Sequence, residues 1–160
     1  MKLIYRHCLY LVLVIILASC ASAPKDPMPT SYEVECIEGI SGNSYKYLSW
    51  GIGNDNQEAE EDAIKAAVYA ALVSRGTGSC APLMNTSEAE KNTDFIKSFY
   101  VERKWQQYAS SSNRGRIDPN KRLKMEDGRI KMGIEVVVNT GQLRNYLNEK
   151  GKVKSMRIGG

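Results

Sequence analysis

The sequence predicts an α+β fold: a two-layer domain whose mostly antiparallel sheet is covered by two or three helices. Two stretches, near residues 32–52 and 123–138, alternate apolar and polar side chains with a period of two. Each leads into a segment with helical periodicity and a capping residue at its start. Between them lies an alanine-rich run at three-to-four spacing. The 160 residues, 42% hydrophobic and 25% charged, suit one modest domain and argue against disorder, collagen and a polytopic membrane protein.

The first element is a targeting segment. Met1–Cys8 carries Lys2 and Arg6 with no acidic residue, and a ten-residue apolar run, Leu9–Ala18, follows. A spanning helix needs roughly 20 apolar residues for ~30 Å of hydrocarbon. A basic leader, a short apolar run and small residues ahead of a cut site instead describe a secretory signal peptide over 1–19. Leu17-Ala18-Ser19-Cys20 closes the run and resembles the lipobox of bacterial lipoproteins. That resemblance implies cleavage before Cys20, diacylglycerol on its thiol, and a protein anchored to the membrane by palmitate-type chains without spanning it. Ala21 stands where an aspartate retains lipoproteins at the inner membrane, which points to the outer membrane. Ser22–Pro27 lacks the dense acidic run of a surface-export tag, which points to the periplasmic side. The mature chain would hold 141 residues, net charge +2 instead of +4, and no histidine, because His7 leaves with Cys8.

Residues 20–31 carry three of the five prolines, Pro24, Pro27 and Pro29, and read as a tether. At ~3.1 Å per residue, extended polyproline geometry would hold the domain roughly 30 Å from the bilayer. The globular domain is placed at 32–151. Tyr32, Val34 and Cys36 form the apolar face of a first strand, Gly39–Asn43 turn, and Tyr45–Ile52 return. Asp55 and Glu58 have the spacing of a capping box for a helix running to about Ser74. Its alanines, with Ile64, Val68 and Leu72, face the sheet, and Glu58, Glu60, Glu61, Asp62 and Lys65 are expected outward. Residues 80–92 read as loop, and Thr93 or Asp94 is placed as the cap of a second helix through Phe95, Ile96, Phe99 and Tyr100, extending towards Trp105. Helix and strand remain open for 104–109. Leu123–Met125, Asp127-Gly128 and Ile130–Val138 make a hairpin. Thr140 is placed as the cap of a last helix carrying Leu143, Tyr146 and Leu147, with Gly151 beyond its end, and 152–160 form a flexible tail.

The mature chain offers little catalytic equipment. Without histidine, Ser–His–Asp and Cys–His nucleophiles and histidine metal sites are excluded, and two separated cysteines make no structural zinc site. No cofactor or metal is expected. Glu33/Glu35 and Glu60/Glu61 are spaced as solvated surface acids, with a glycosidase-like pair of carboxylates as the alternative. Gly51-Ile52-Gly53 has the first two glycines of a dinucleotide fingerprint, but Asn56 replaces the third and no acid follows at the ribose position. A tight strand-to-helix turn explains these glycines better.

Cys36 and Cys80 remain as a pair in a compartment that permits oxidation. Two readings stay open: two buried thiols, or a bridge closing roughly 45 residues and contributing about 4 kcal/mol. Charge is polarised along the chain. Residues 20–102 hold 6 basic and 13 acidic residues; residues 103–160 hold 14 basic and 5 acidic. Arg103, Lys104, Arg114, Arg116, Lys121, Arg122, Lys124, Arg129 and Lys131 form a candidate partner-binding patch around the long loop and the hairpin. It suits an acidic protein surface, lipid phosphate or anionic cell-wall polymer, or an internal match with the acidic first helix. Nucleic acid is disfavoured by compartment. Trp50, Trp105 and Tyr100 suit either an interface or the core.

With its lipobox, proline-bearing tether, Ala59–Ala71 helix and closing Val136-Val137-Val138-Asn139-Thr140-Gly141-Gln142-Leu143-Arg144, the chain resembles small bacterial envelope lipoproteins. More narrowly it is similar to the lipoprotein subunit of the type VI secretion membrane complex of Bacteroidota. The resemblance implies a non-enzymatic, periplasm-facing docking component with an envelope protein as partner. The alternative is a cell-wall or anionic-ligand binding module using the basic C-terminal half.

Overall fold

The alternation in Tyr45–Ile52 and Ile130–Val138 becomes the centre of the sheet. A computed structural model describes residues 26–40, 43–73, 77–78, 80–112 and 118–153. The signal segment, Cys20, residues 21–25 of the tether, Arg114, Arg116 and residues 154–160 of the tail lie outside the described residues. In chain order the elements are β1 (Val34–Ile40), β2 (Ser44–Gly53), α1 (Asn56–Val73), α2 (Thr86–Lys91) and α3 (Thr93–Val101). A 3₁₀ turn (Lys104–Gln107), β3 (Ala109–Ser111), a second 3₁₀ turn (Pro119–Lys121), β4 (Arg122–Lys124), β5 (Ile130–Val138) and α4 (Thr140–Glu149) complete them.

The fold is α+β, an antiparallel five-stranded sheet with helices over one face. β2 lies between β1 and β5 and pairs with β5 in unbroken register, from Tyr45 opposite Val138 to Gly53 opposite Ile130. β3 and β4 share the far edge of β5, end to end. A bulge between Cys36 and Glu38 leaves Ile37 exposed. In the β4–β5 turn Gly128 has φ +85°, a conformation that suits glycine, and Asp127 Oδ1 accepts from the Arg129 N–H at 3.0 Å.

One face of the sheet makes the core with α1, α3 and α4. Tyr47, Met132, Ile134, Val136 and Val138 pack with Ala59, Ala63, Ala66, Ala67, Val68, Ala71 and Leu72. The small side chains let α1 approach closely. A Cβ on Gly51 would overlap the Ala59 carbonyl and the Ala63 amide, and one on Gly53 would overlap the Ala59 amide. Ser49 Oγ, fully buried, donates to the Ala63 carbonyl at 2.7 Å. The glycine pair that resembled a nucleotide fingerprint is therefore a helix seat.

Several local expectations change. Asp62 and Lys65, expected outward, are 2% and 5% exposed. Asp62 accepts from the backbone N–H of Thr30 (2.7 Å), Ser31 (3.3 Å) and Ile52 (2.9 Å). Ile52 lies beyond the last rung between β1 and β2, so this carboxylate stands in for a neighbouring strand. Pro29 and Ser31 are buried and Met28 packs on the core, so the end of the tether belongs to the folded unit. Within residues 80–92, α2 forms: Asn85 Oδ1 accepts from the Glu88 N–H, and Glu88 Oε2 accepts from the Asn85 N–H. α3 stops before Trp105 because Arg103 adopts a left-handed conformation (φ 55°), and a 3₁₀ turn followed by β3 occupies 104–111. Asn139, not Thr140, caps α4, accepting from the Gln142 N–H. At its end Gly151 and Lys152 donate to the Asn148 and Leu147 carbonyls in a Schellman pattern.

Gly51→Ala should cost about 3 kcal/mol or more in urea unfolding, because α1 cannot move off the sheet without opening the core. Gly39→Ala, whose Cβ would rest 3.4 Å from the Tyr45 ring, should change stability by less than about 1 kcal/mol.

Candidate functional site

The sheet face opposite α1 carries no covering layer among the described residues. Alternation places Leu48, Trp50, Ile52 and Val137 there, none of them in the core cluster, and β4 adds Leu123, 52% exposed. Trp50 lies across Gly133, where a Cβ would come within 2.9 Å of the indole. Lys131 Nζ sits 5.2 Å from the Trp50 ring and 2.5 Å from Glu33 Oε2. Glu38 and Lys46 pair at 2.7 Å, and the Glu38 carboxylate raises the lysine's pKa. The face thus has an apolar centre, two lysines matched by Glu33 and Glu38, and two further acids, Glu35 and Glu135, on either side of Leu48. Trp105 and Tyr100 are core residues, 2% and 1% exposed, leaving Trp50 as the interface candidate of the three.

The candidate basic patch divides. Arg122 Nε donates to Asn56 Oδ1 at 2.9 Å at the start of α1, and Arg103 pairs with Glu61 at 3.0 Å five residues further on. These two meet α1 about 7.5 Å apart in helix rise. Lys104 pairs with Glu102 and Arg129 with Asp127. Lys131 lies on the opposite face, whereas Arg122 and Lys124 alternate to the helix side of β4. Lys121 and Lys124 have no ion pair among the described residues, and Arg114 and Arg116 lie outside them. The internal match with acidic groups is realised at Arg103–Glu61 and Lys131–Glu33.

Glu61, Lys65, Arg103 and Trp105 form a cluster that sequence reasoning missed. Lys65 Nζ lies 3.2 Å from Glu61 and 5.7 Å from the Trp105 ring centre, with the Arg103 guanidinium 6.0 Å from the same ring. Burial opposes the Glu61 charge, but Lys65 and Arg103 outweigh it and hold the carboxyl below its ordinary range. Burial pushes the Tyr47 and Tyr100 phenols upward, so both stay neutral at physiological pH. A signal for Asp62 existed: it lies three residues after Ala59 and four before Ala66, on the stripe that faces the sheet. For Lys65 only the packing of Trp105 reveals the burial.

Cys36 and Cys80 are bridged, with Cα atoms 5.8 Å apart. Beside them Thr77 bonds to β1 as a short parallel bridge: the Cys36 N–H donates to its carbonyl, and its N–H donates to the Val34 carbonyl. Leu83 and Met84 N–H groups then take the Ala71 and Leu72 carbonyls at the end of α1. The bridge therefore secures the edge of β1 and the return of the chain after α1. A cleft of 540 Å³ opens beside the start of α4, lined in part by Asn43, Tyr45, Asn139, Gln142 and Arg144 and by no carboxylate. Among the described residues no group of three or more His, Cys, Asp or Glu side chains gathers as a metal site. No helix among them is long and apolar enough to cross a membrane.

Replacing both cysteines by serine should lower stability by about 4 kcal/mol in the chain-entropy account. Urea unfolding with and without dithiothreitol checks this, and the wild type should show the larger loss on reduction. Glu61 has a depressed pKa in the fold, so its contribution is complete above the unfolded value near 4.5 and is lost as pH falls through the lower folded value. Glu61→Gln should flatten the acid limb of stability against pH below 4.5 and leave the neutral limb parallel to wild type. The chain matches no family model, no curated protein and no solved structure.

Proposed function

We propose that this chain is a lipid-anchored, non-enzymatic docking component of an envelope-spanning complex, held at the outer membrane and facing the periplasm. The observation that carries the reading is Leu17-Ala18-Ser19-Cys20 placed directly after a ten-residue apolar run behind a basic leader. The uncovered sheet face supports it. Trp50, flanked by Leu48, Ile52 and the exposed Leu123, offers an aromatic anchor with an apolar surround, the composition enriched at protein–protein interfaces. Its lysines are already neutralised by Glu33 and Glu38, so an apolar partner surface suits it better than a strongly acidic one. The resemblance to the type VI secretion lipoprotein of Bacteroidota proposes the class of machine.

The alternative, a cell-wall or anionic-ligand module, draws on Lys121 and Lys124, which are free of ion pairs among the described residues, and on the carboxylate-free cleft with Arg144. It is the weaker reading because Arg103, Lys104, Arg129 and Lys131 spend their charge internally.

Metabolic palmitate labelling should mark the wild type and not Cys20→Ala; equal labelling overturns the anchor. Cross-linking in intact cells followed by mass spectrometry should then recover an envelope protein through β2 and β5, with yield reduced at least fivefold in Trp50→Ala. Sedimentation with purified peptidoglycan, lost on charge reversal at Lys121, Arg122 and Lys124, would favour the alternative instead.

A further inference from the structure

A second surface lies on the helical side, where α3 meets α4. Phe95 and Tyr146 stack there at 6.1 Å, both partly exposed. Lys152 Nζ lies 5.0 Å from the Phe95 ring centre and Lys150 Nζ 5.8 Å from that of Tyr146. Neither ammonium has an ion pair among the described residues, in contrast to Lys46, Lys65, Lys104 and Lys131, each matched to a glutamate. Lysines at a helix end complement its dipole. That accounts for a cation near the end of α4 and says nothing about two that both rest over rings. Residues 139–153 carry Arg144, Lys150 and Lys152 against Glu149 alone, and Lys154 and Arg157 follow in the sequence. Lys104, paired with Glu102, also lies against the Tyr146 hydroxyl.

The start of α3 also borders the groove, between α1 and α2, that receives the amino-terminal chain. Met28 lines this groove with Tyr69, Val73, Ala89, Thr93 and Ile96. Asn92, between α2 and α3, has its Nδ2 3.5 Å from the Lys152 carbonyl. The joining point of the tether and the lysine pair therefore flank one helix junction. Eight residue steps separate Cys20 from Met28, a span of at most about 29 Å. The docked end of the tether shortens the spacer that the proline pattern suggested and keeps this side of the domain within reach of the bilayer.

We infer that the face formed by Phe95, Tyr146, Lys150 and Lys152 rests on anionic lipid headgroups of the membrane that holds the anchor. The inference rests on the lipoprotein reading above. The two ammonium groups, held over the rings, meet lipid phosphate there, with the rings at the polar boundary. Attraction across water fades within roughly 8 Å at physiological salt, so it acts only when the face is close to the surface. With this side down, the open sheet face on the opposite side of the sheet, with Trp50, points away from the bilayer.

The test uses the lipidated protein purified from membranes and reconstituted in vesicles of phosphatidylcholine alone or with phosphatidylglycerol. Hydrogen exchange in peptides covering 93–101 and 144–153 should slow at least threefold in the anionic vesicles only. The Lys150→Glu/Lys152→Glu variant should lose that protection while β2 and β5 exchange as in wild type, which reports an intact fold. Equal exchange in both vesicle types, or protection that survives in the variant, overturns the inference and turns attention to an acidic protein on this face. Flotation separates the two claims. A chain that floats through Cys20 without composition-dependent protection overturns this inference and leaves the anchor standing, whereas a wild-type chain that does not float overturns both.

Discussion

The close approach of α1 to β2 is the constraint on which the remaining structure depends. Gly51 and Gly53 leave room for the helix backbone, and the alanines at 59, 63, 66 and 67 keep its own surface low. At that separation Ser49 can reach the Ala63 carbonyl and Asp62 can reach the Ile52 amide. The bonds from Asp62 to Thr30 and Ser31 follow from the same geometry, because a carboxylate at the sheet surface meets the incoming chain as well as β2. A buried acid is costly unless its charge is met by donors, and here three amide N–H groups supply them. Close packing and polar satisfaction are thus one arrangement.

The two charge populations of the chain meet at a few points within the fold. The acidic half supplies Glu33 and Glu61, and the basic half answers at Lys131 and Arg103. Exposed pairs of this kind contribute little stability, about 0–1 kcal/mol each. Their effect is on what remains for partners. They leave an apolar centre on the open sheet face and concentrate unmatched positive charge near Lys121 and Lys124 and at the end of α4.

Much of the fold was legible because period and punctuation agreed. Both long strands, the hairpin at Asp127-Gly128, the alanine helix and the end of α4 at Gly151 follow directly from spacing and turn chemistry. α2 was illegible to periodicity because it buries none of its residues; its signal was Asn85 and Glu88, a capping box without an apolar stripe behind it. The bridge between Cys36 and Cys80 was open in sequence because pairing depends on where the chain returns after α1, which Thr77, Leu83 and Met84 decide. The roles of the aromatics were likewise unreadable. Trp105 lies among Arg103, Lys104, Gln106 and Gln107, polar surroundings that suggest exposure, yet a left-handed Arg103 folds it into the core, while strand alternation turns Trp50 to the open face.

The attachment of Met28–Ser31 has a mechanical consequence. Without it, tension on the amino-terminal chain would act on the end of β1, an edge strand, and could break its rungs one after another. Asp62 instead passes the load to α1, and its bond to Ile52 passes it on to the central strand. Force arriving from that end is shared between the two elements that are packed most closely. A pull from that end must break the Asp62 bonds before it can strip β1 from the sheet.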